Sequence, residues 1–289
     1  MKHIVIIGSK FGELCRELTA AFEKRGCEAR FFAAQELCQS AGMGRPAAFE
    51  EADAAVIRGI PAGSLEDVIF RMDALYTEEM KGLPFVNSPK AIERTVDKFL
   101  TTALLEKNHI PVPPTICVPA DAEMVRRAFY ELGEDVIYKP IFGSCGSGLL
   151  RIRSEEAAAE LAVRLKSEGR VAYLQKFIPC GDSDIRAFVL GGRVIAAMTR
   201  KGRDWRANLT LGGSAVRRAL SADEEDLAVQ AAEAVGADVA GVDMIRDKDD
   251  RLYAIEVNGC PGWRGLSEVT GVDAAGELAD YVLRNRSGL

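Results

Sequence analysis

The residues 239–262, VAGVDMIRDKDDRLYAIEVNGCPG, hold two apolar runs around a polar DKDD turn, the pattern of an antiparallel hairpin. A turn centred between Asp249 and Asp250 pairs Asp243 with Glu256, Met244 with Ile255 and Val242 with Val257. Side chains alternate across a sheet, so these four apolar residues share one face, and Asp243, Glu256 and Asn258 share the other. Carboxylates set opposite each other repel, at a cost of roughly a few tenths of a kcal/mol or more. A divalent cation between them removes that cost. Asp, Glu and Asn offer only hard oxygen donors, which suit Mg²⁺ or Mn²⁺ bound jointly with phosphate oxygens. A solvated acidic strand face is the plainer alternative, but it accounts for neither Asn258 nor the abrupt Gly-Cys-Pro-Gly that follows.

Two lysines and a glycine-rich loop fit phosphate binding. Residues 136–139 read as a strand ending in Lys139, and Pro140 leads into Gly143-Ser144-Cys145-Gly146-Ser147-Gly148 before a strand resumes at 149–152. Glycines let backbone N–H groups approach phosphate oxygens closely. A Walker A loop would carry Lys-Ser/Thr after its last glycine at the start of a helix. Here Leu149 follows and the lysine precedes, so the expectation is a strand–loop–strand flap over a triphosphate, with a simple hairpin turn as the alternative. Lys98 stands at the start of a helix, where the dipole disfavours a cation unless a phosphate is nearby. Gln175-Lys176-Phe177-Ile178 leaves a strand-like VAYL as extended chain, able to offer main-chain groups to an adenine edge.

Guanidinium groups supply the remaining chemistry. Asp184-Ile185-Arg186 precedes an expected strand at 187–190, and a Gly191-Gly192 turn leads to a second at 194–198. Arg186 and the cluster Arg200, Lys201, Arg203 and Arg206 then fall near the strands' outer ends, where they could clamp a phosphoryl group or a carboxylate bidentately. A solvated basic patch is the alternative. Asn208, with Gly212-Gly213 following, suggests a turn that holds an amide near the acids.

The elements that must position these groups follow from periodicity. A strand at 2–7, a helix with Leu14, Leu18, Ala21 and Phe22 on one face, and strands at 28–33 and 54–57 imply a parallel α/β unit over 1–88. Gly8 stands without G-x-G-x-x-G, so a dinucleotide site is not supported. Asn87-Ser88-Pro89 reads as two capping residues and a first-turn proline opening a helix that carries Phe99, Leu100, Ala103 and Leu104 in register. A helix at 223–235 opens after Ser221. The net charge of −6 disfavours a general nucleic-acid binder. No apolar run nears the roughly 20 residues of a membrane span, so a cytoplasmic protein is expected. Seven dispersed cysteines without a C-x-x-C pair argue against a disulfide framework or zinc site, and two histidines leave little room for a Ser-His-Asp mechanism.

Taken in order, Lys98, Lys139 with its glycine loop, Gln175 to Ile178, Asp184-x-Arg186, Asn208, Asp243 and Glu256-x-Asn258 resemble the ATP-grasp superfamily, most closely its RimK-type α-L-glutamate ligase branch. The resemblance implies an α/β fold of three lobes: an N-terminal parallel domain at 1–88, a central lobe with the flap at 89–170 and a C-terminal lobe at 171–289. On that analogy Lys98, Lys139, Gly143, Ser144, Gly146, Gly148, Gln175, Lys176, Phe177, Ile178, Asp184 and Asn208 contact ATP. Asp243, Glu256 and Asn258 hold Mg²⁺ or Mn²⁺, and Arg186 and Arg200 face the reacting groups. Lys176 departs from the acidic residue often found after the Gln. The resemblance implies an acylphosphate route joining a small-molecule carboxylate to L-glutamate or a similar amine, in a dimer or tetramer; charge and hydropathy add the expectation of no membrane or nucleic-acid partner. The loop KPIFGSCGSG and GCPGWRGLSEVTG, residues 259–271, are more like members that add glutamate to tetrahydromethanopterin or related coenzymes. A carrier-protein or ribosomal-protein ligase, a nucleotide-binding regulatory protein and a small-molecule kinase are the competing readings.

Overall fold

The computed structural model describes residues 1–143, 148–202 and 212–285, arranged as three sheets with helices between them. The first sheet takes β1 (His3–Gly8), β2 (Glu28–Ala33), β3 (Ala54–Ile57) and β4 (Phe85–Val86) in the order β2-β1-β3-β4, and every pairing is parallel. Parallel strands need crossovers, supplied by α1 (Glu13–Glu23) and α2 (Leu65–Met80). The expected face of α1 is the buried one, with Leu18, Ala21 and Phe22 inside and Cys15 beside them.

Past this sheet Ser88 caps α3 (Pro89–Val96) by accepting from the Ala91 N–H at 3.2 Å, with Pro89 in the first turn. Asn87 does not cap. Its buried amide ties the first unit to the third sheet, donating to the carbonyls of Val239 (2.7 Å) and Gly259 (2.6 Å) and accepting from the Val239 N–H (2.8 Å). The single helix expected here is broken at Asp97, which caps α4 (Lys98–Lys107) through the Phe99 and Leu100 N–H groups. Its buried face is Thr101 and Leu105, while Phe99 and Leu100 are exposed. The expected face is thus rotated, because α4 meets the third sheet rather than the strands that follow it in sequence.

The second sheet is antiparallel, in the order β5-β8-β6-β7, from β5 (Thr115–Pro119), β6 (Val136–Lys139), β7 (Leu150–Ile152) and β8 (Val171–Lys176), with α5 (Ala122–Glu131) and α6 (Glu155–Ser167) covering one face. Since β8 pairs with both β5 and β6, the chain leaves this sheet after residue 176, and the boundary expected at 170 cuts through it.

The third sheet runs β11-β10-β9-β12-β13, from β9 (Ser183–Leu190), β10 (Arg193–Lys201), β11 (Ser214–Arg217), β12 (Val239–Arg246) and β13 (Leu252–Asn258), with α7 (Ala222–Val235) before β12. Gly191 and Gly192 both have positive φ (59° and 73°), as a two-residue hairpin turn of matching twist requires. One face of the sheet (Ile185, Ala187, Val189, Ala240, Val242, Met244, Ala254 and Val257) packs with α7 in a single core. The opposite face changes character along its length. At one end Phe188, Leu190, Met198 and Val239 share a core with β1, α1 and the C-terminal helices α8 (Arg264–Thr270) and α9 (Ala274–Asn285). At the other end stand the charged residues.

The β12–β13 register agrees with expectation where it matters and departs beyond. Gly241 pairs with Asn258, Val242 with Val257 and Asp243 with Glu256, but Met244 pairs with Ala254 rather than Ile255. The turn spans three residues, not two. Asp247 donates to the Arg251 carbonyl (3.0 Å) and Asp250 adopts φ 62°, so a shift between Asp243 and Met244 absorbs the extra residue. No helix among the described residues is long and apolar enough to cross a membrane.

Candidate active site

Strand pairing explains why four charged side chains meet. In β9 Asp184 and Arg186 lie on one face, and they sit within the strand, which begins at Ser183, rather than ahead of it as expected. Asp184 is opposite Arg200 of β10, itself inside a strand reaching Lys201, and Arg186 is opposite Asp243 of β12. Arg200 grips Asp184 with Nε and Nη2, at 2.7 and 2.6 Å, and its Nη2 also lies 2.8 Å from Asp243 Oδ2. Arg186 donates to both Asp243 oxygens, the Nη2 contact at 2.9 Å. Asp184, Arg200 and Asp243 are all buried.

Two guanidinium and two carboxylate groups balance, and their surroundings bias them. Burial works against charge on Asp243, yet Arg186 and Arg200 outweigh it and hold the carboxyl below its usual range. Asp184 is raised by burial first, offset by its Arg200 hydrogen bond and worsened by Asp243. Arg200 loses stabilisation on burial but is kept firmly protonated by the two acids. The repulsion expected between Asp243 and Glu256 is therefore relieved, on the Asp243 side, by two arginines already in place. The cation expected to relieve the opposed acids is thus, at Asp243, a pair of guanidinium groups.

Glu256 and Asn258 are half-buried on the same face, and Glu256 has no hydrogen bond or ion pair among the described residues. Asn258 accepts the Cys260 N–H at Oδ1 (2.9 Å), which leaves that oxygen a second lone pair. No group of three or more His, Cys, Asp or Glu side chains poised for a metal occurs among the described residues. The donor set is instead two carboxylates and an amide. Its chemistry fits Mg²⁺, with Glu256 and Asn258 accessible and Asp243 occupied by guanidinium groups.

Across from the acids stand the lysines. Lys98 Nζ donates to the carbonyl of Gly143 at 2.6 Å, at the entry to the glycine loop. Burial lowers its pKa, with Glu256 and Asp97 pulling the other way. Lys139, at the end of β6, is pushed down to about 8 by burial above all, with Glu256 opposing and Lys98 adding to the drop. The Glu256 charge of the third sheet thus acts on both lysines, Lys98 at the start of α4 and Lys139 at the end of β6. In the flap hairpin Tyr138 pairs with Leu150, and Gly148 (φ 78°) lies where a Cβ would come within 2.9 Å of Pro140. Gly143 also has positive φ, at 146°. Ser144, Gly146 and Asn208 lie outside the described residues, as do Arg203 and Arg206.

The 175–178 segment is pinned rather than free. The Lys176 and Phe177 N–H groups donate to the Pro114 and Asp135 carbonyls, at 2.8 and 2.9 Å. Buried Gln175 donates its amide to Thr115 Oγ1 (2.9 Å). Arg151 stacks on the Phe177 ring at 3.5 Å while bound to Asp135, and the Lys176 ammonium lies over Gly133. One residue escaped the sequence reading. Gly241 leaves room for Arg186: a Cβ there would stand 2.6 Å from Arg186 Nη1 and 3.0 Å from the Pro261 Cβ. A glycine inside an apolar strand is the signal that marks such a close approach.

Residues 95–282 match the family described as the RimK-like ATP-grasp domain. The chain belongs to that family. Among curated relatives of this RimK-like protein are tetrahydromethanopterin:alpha-L-glutamate ligases. The one from Methanosarcina acetivorans is 34% identical over 80% of the chain and 79% of the relative, and that from Methanococcus maripaludis 37% over 79% and 78%. A probable alpha-L-glutamate ligase of Haemophilus influenzae is 35% identical over 71% of the chain and 68% of the relative. Solved structures extend the fold over nearly the whole chain. A RimK domain ATP-grasp protein from Sphaerobacter thermophilus superposes with a TM-score of 0.77 at 24% identity, covering 97% of this chain and 99% of that one. The ATP-grasp ligase PsnB complexed with minimal precursor, Mg and ADP gives 0.75 at 24%, covering 99% and 98%.

Proposed function

We propose that this protein is an ATP-dependent carboxylate–amine ligase that adds L-glutamate to a carboxylate of a small-molecule coenzyme, such as a tetrahydromethanopterin-type pterin. The observation that carries the reading is a pair of lysines, Lys98 and Lys139, under the influence of Glu256, which shares a sheet with the ion-paired cluster of Arg186, Arg200 and Asp243. Such a set neutralises charge as it shifts between oxygens, which is what phosphoryl transfer demands. A substrate carboxylate oxygen attacks the γ-phosphorus, and the bond to the ADP oxygen breaks. The amine then attacks the acyl carbon, phosphate leaves with the carboxylate's oxygen, and the nitrogen loses its proton.

In this scheme Lys98 and Lys139 hold ATP phosphates, and Gly143, Ser144, Gly146 and Gly148 contribute to phosphate binding. The segment from Gln175 to Ile178 faces adenine, and Asp184 and Asn208 complete the surroundings. Arg186 and Arg200 orient the reacting carboxylate and stabilise the phosphoryl oxygens. Glu256, Asn258 and, once a guanidinium gives way, Asp243 would hold Mg²⁺ or Mn²⁺, which supplies charge neutralisation on the phosphates. The six described cysteines are free thiols, in keeping with a cytoplasmic setting, and the working unit is a homo-oligomer.

The test is ADP release with glutamate against pterin, deazaflavin and carrier-protein acceptors. The reading expects release that needs both glutamate and a coenzyme acceptor. Release without any amine would make the protein a kinase, and release only with a carrier protein would move the acceptor class.

A further inference from the structure

We propose that Arg58 binds a substrate carboxylate that survives the reaction, at the C-terminal edge of the first sheet beside Pro261. The inference rests on the ligase reading above and extends it to a second substrate contact. Arg58 follows directly on β3. Its Nη2 donates to the Pro261 carbonyl (2.7 Å), and its guanidinium carbon lies 4.4 Å from the centre of the buried Trp263 ring. Nε and Nη1 are buried and have no hydrogen-bond partner among the described residues, nor does Arg58 form an ion pair with any of them. Among the described residues, the ionisable groups felt at Arg58 are the thiols of Cys15 and Cys260.

Burying guanidinium nitrogens without an anion is strongly unfavourable. The site's other arginines are paired: buried Arg200 with Asp184 and Asp243, half-buried Arg186 with Asp243. Arg58 is therefore the odd one, a half-buried residue with two buried guanidinium nitrogens left open among the described residues. Its place says what completes it. The Pro261 Cβ and the Arg186 guanidinium both press on the position a Gly241 Cβ would take, at 3.0 and 2.6 Å, so one proline separates Arg58 from the arginine facing the reacting groups. In open parallel sheets ligands bind at the strands' carboxyl ends, where Arg58 stands. Arg186 and Arg200 serve the carboxylate that reacts, so Arg58, one residue away, serves one that does not. Glutamate carries two such groups, and the acceptor is the other source.

The test uses the full chain, wild type and as Arg58→Met and Arg58→Lys. Arg58→Met should raise KM about 100-fold for one substrate and leave the other within about threefold. Arg58→Lys should fall between, about 10-fold, because an ammonium keeps the charge without the fork. If the affected substrate is glutamate, glutamine and isoglutamine identify which carboxylate is held. If it is the pterin, the acceptor supplies it. Unchanged KM for both overturns the proposal.

Melting temperature supplies a readout that does not need turnover, so the inference can be judged even if the ligase reading fails. L-Glutamate or the pterin should raise the melting temperature of wild type and not of Arg58→Met. Identical shifts in both proteins, or none in wild type with either probe, overturn it. Without ligand, Arg58→Met should melt no lower than wild type, since an unpaired buried charge is gone. A drop of several degrees with unchanged KM would make Arg58 purely structural and overturn the proposal.

Discussion

Replacing Asn87 with Ala removes three hydrogen bonds at once from a wholly buried side chain: two from its amide to the Val239 and Gly259 carbonyls, at 2.7 and 2.6 Å, and one from the Val239 N–H, at 2.8 Å. Each such bond is worth about 1 kcal/mol net, and each buried partner left unsatisfied costs about 1–3 kcal/mol. The variant should lose about 3–5 kcal/mol in urea unfolding followed by circular dichroism. Asn87→Asp refines the test. It keeps an oxygen for the Val239 N–H but sets another against two carbonyl oxygens, so at pH 7 it should be at least as destabilising as Ala. Because Gly259 follows Asn258, both variants should also slow ADP release. A loss below about 1 kcal/mol in Asn87→Ala would refute the view that this side chain fastens the first unit to the third sheet.

Glu256→Gln removes a charge that has no ion-pair partner among the described residues, so turnover should fall by at least about 100-fold while the melting temperature stays within a few degrees; wild-type ADP release would remove Glu256 from the site. Lys139 is protonated in the unfolded chain up to about 10.5 and in the folded one only to about 8, so stability contributed by this group rises with pH between those values. ATP needs the ammonium, so ATP affinity should weaken as pH climbs past 8; in Lys139→Ala both trends should vanish from the wild-type-minus-variant difference, and an unchanged ATP dependence would exclude the phosphate role. Gly241→Ala presses a methyl on Arg186 Nη1 and Pro261, so kcat should drop by about 10-fold or more with a stability cost of about 1–3 kcal/mol; unchanged kcat would mean that Arg186 tolerates displacement.

Much of the site was legible because β structure has a period of two. Asp243, Glu256 and Asn258 could be placed on one face from the hairpin pattern alone, and their pairing needed only the three registers nearest that point. The pairing from Met244 onward was not legible, since it depends on a three-residue turn with Asp250 in a left-handed conformation that DKDD does not announce. The arginines' partners were hidden for a different reason. Arg186 meets Asp243 only because β9 lies between β10 and β12, an order decided by packing of the whole sheet. The same non-local packing rotated α4, carried β8 into the second sheet and turned Asn87 from a capping candidate into a clasp.

In the proposed reaction the acceptor carboxylate is activated by phosphoryl transfer before the amine attacks. The most direct measurement labels both oxygens of that carboxylate with ¹⁸O and follows the phosphate released during glutamate ligation by mass spectrometry. One labelled oxygen should appear in each phosphate and the other in the new amide. Phosphate carrying only solvent or ATP oxygen, with both labels elsewhere, would contradict it.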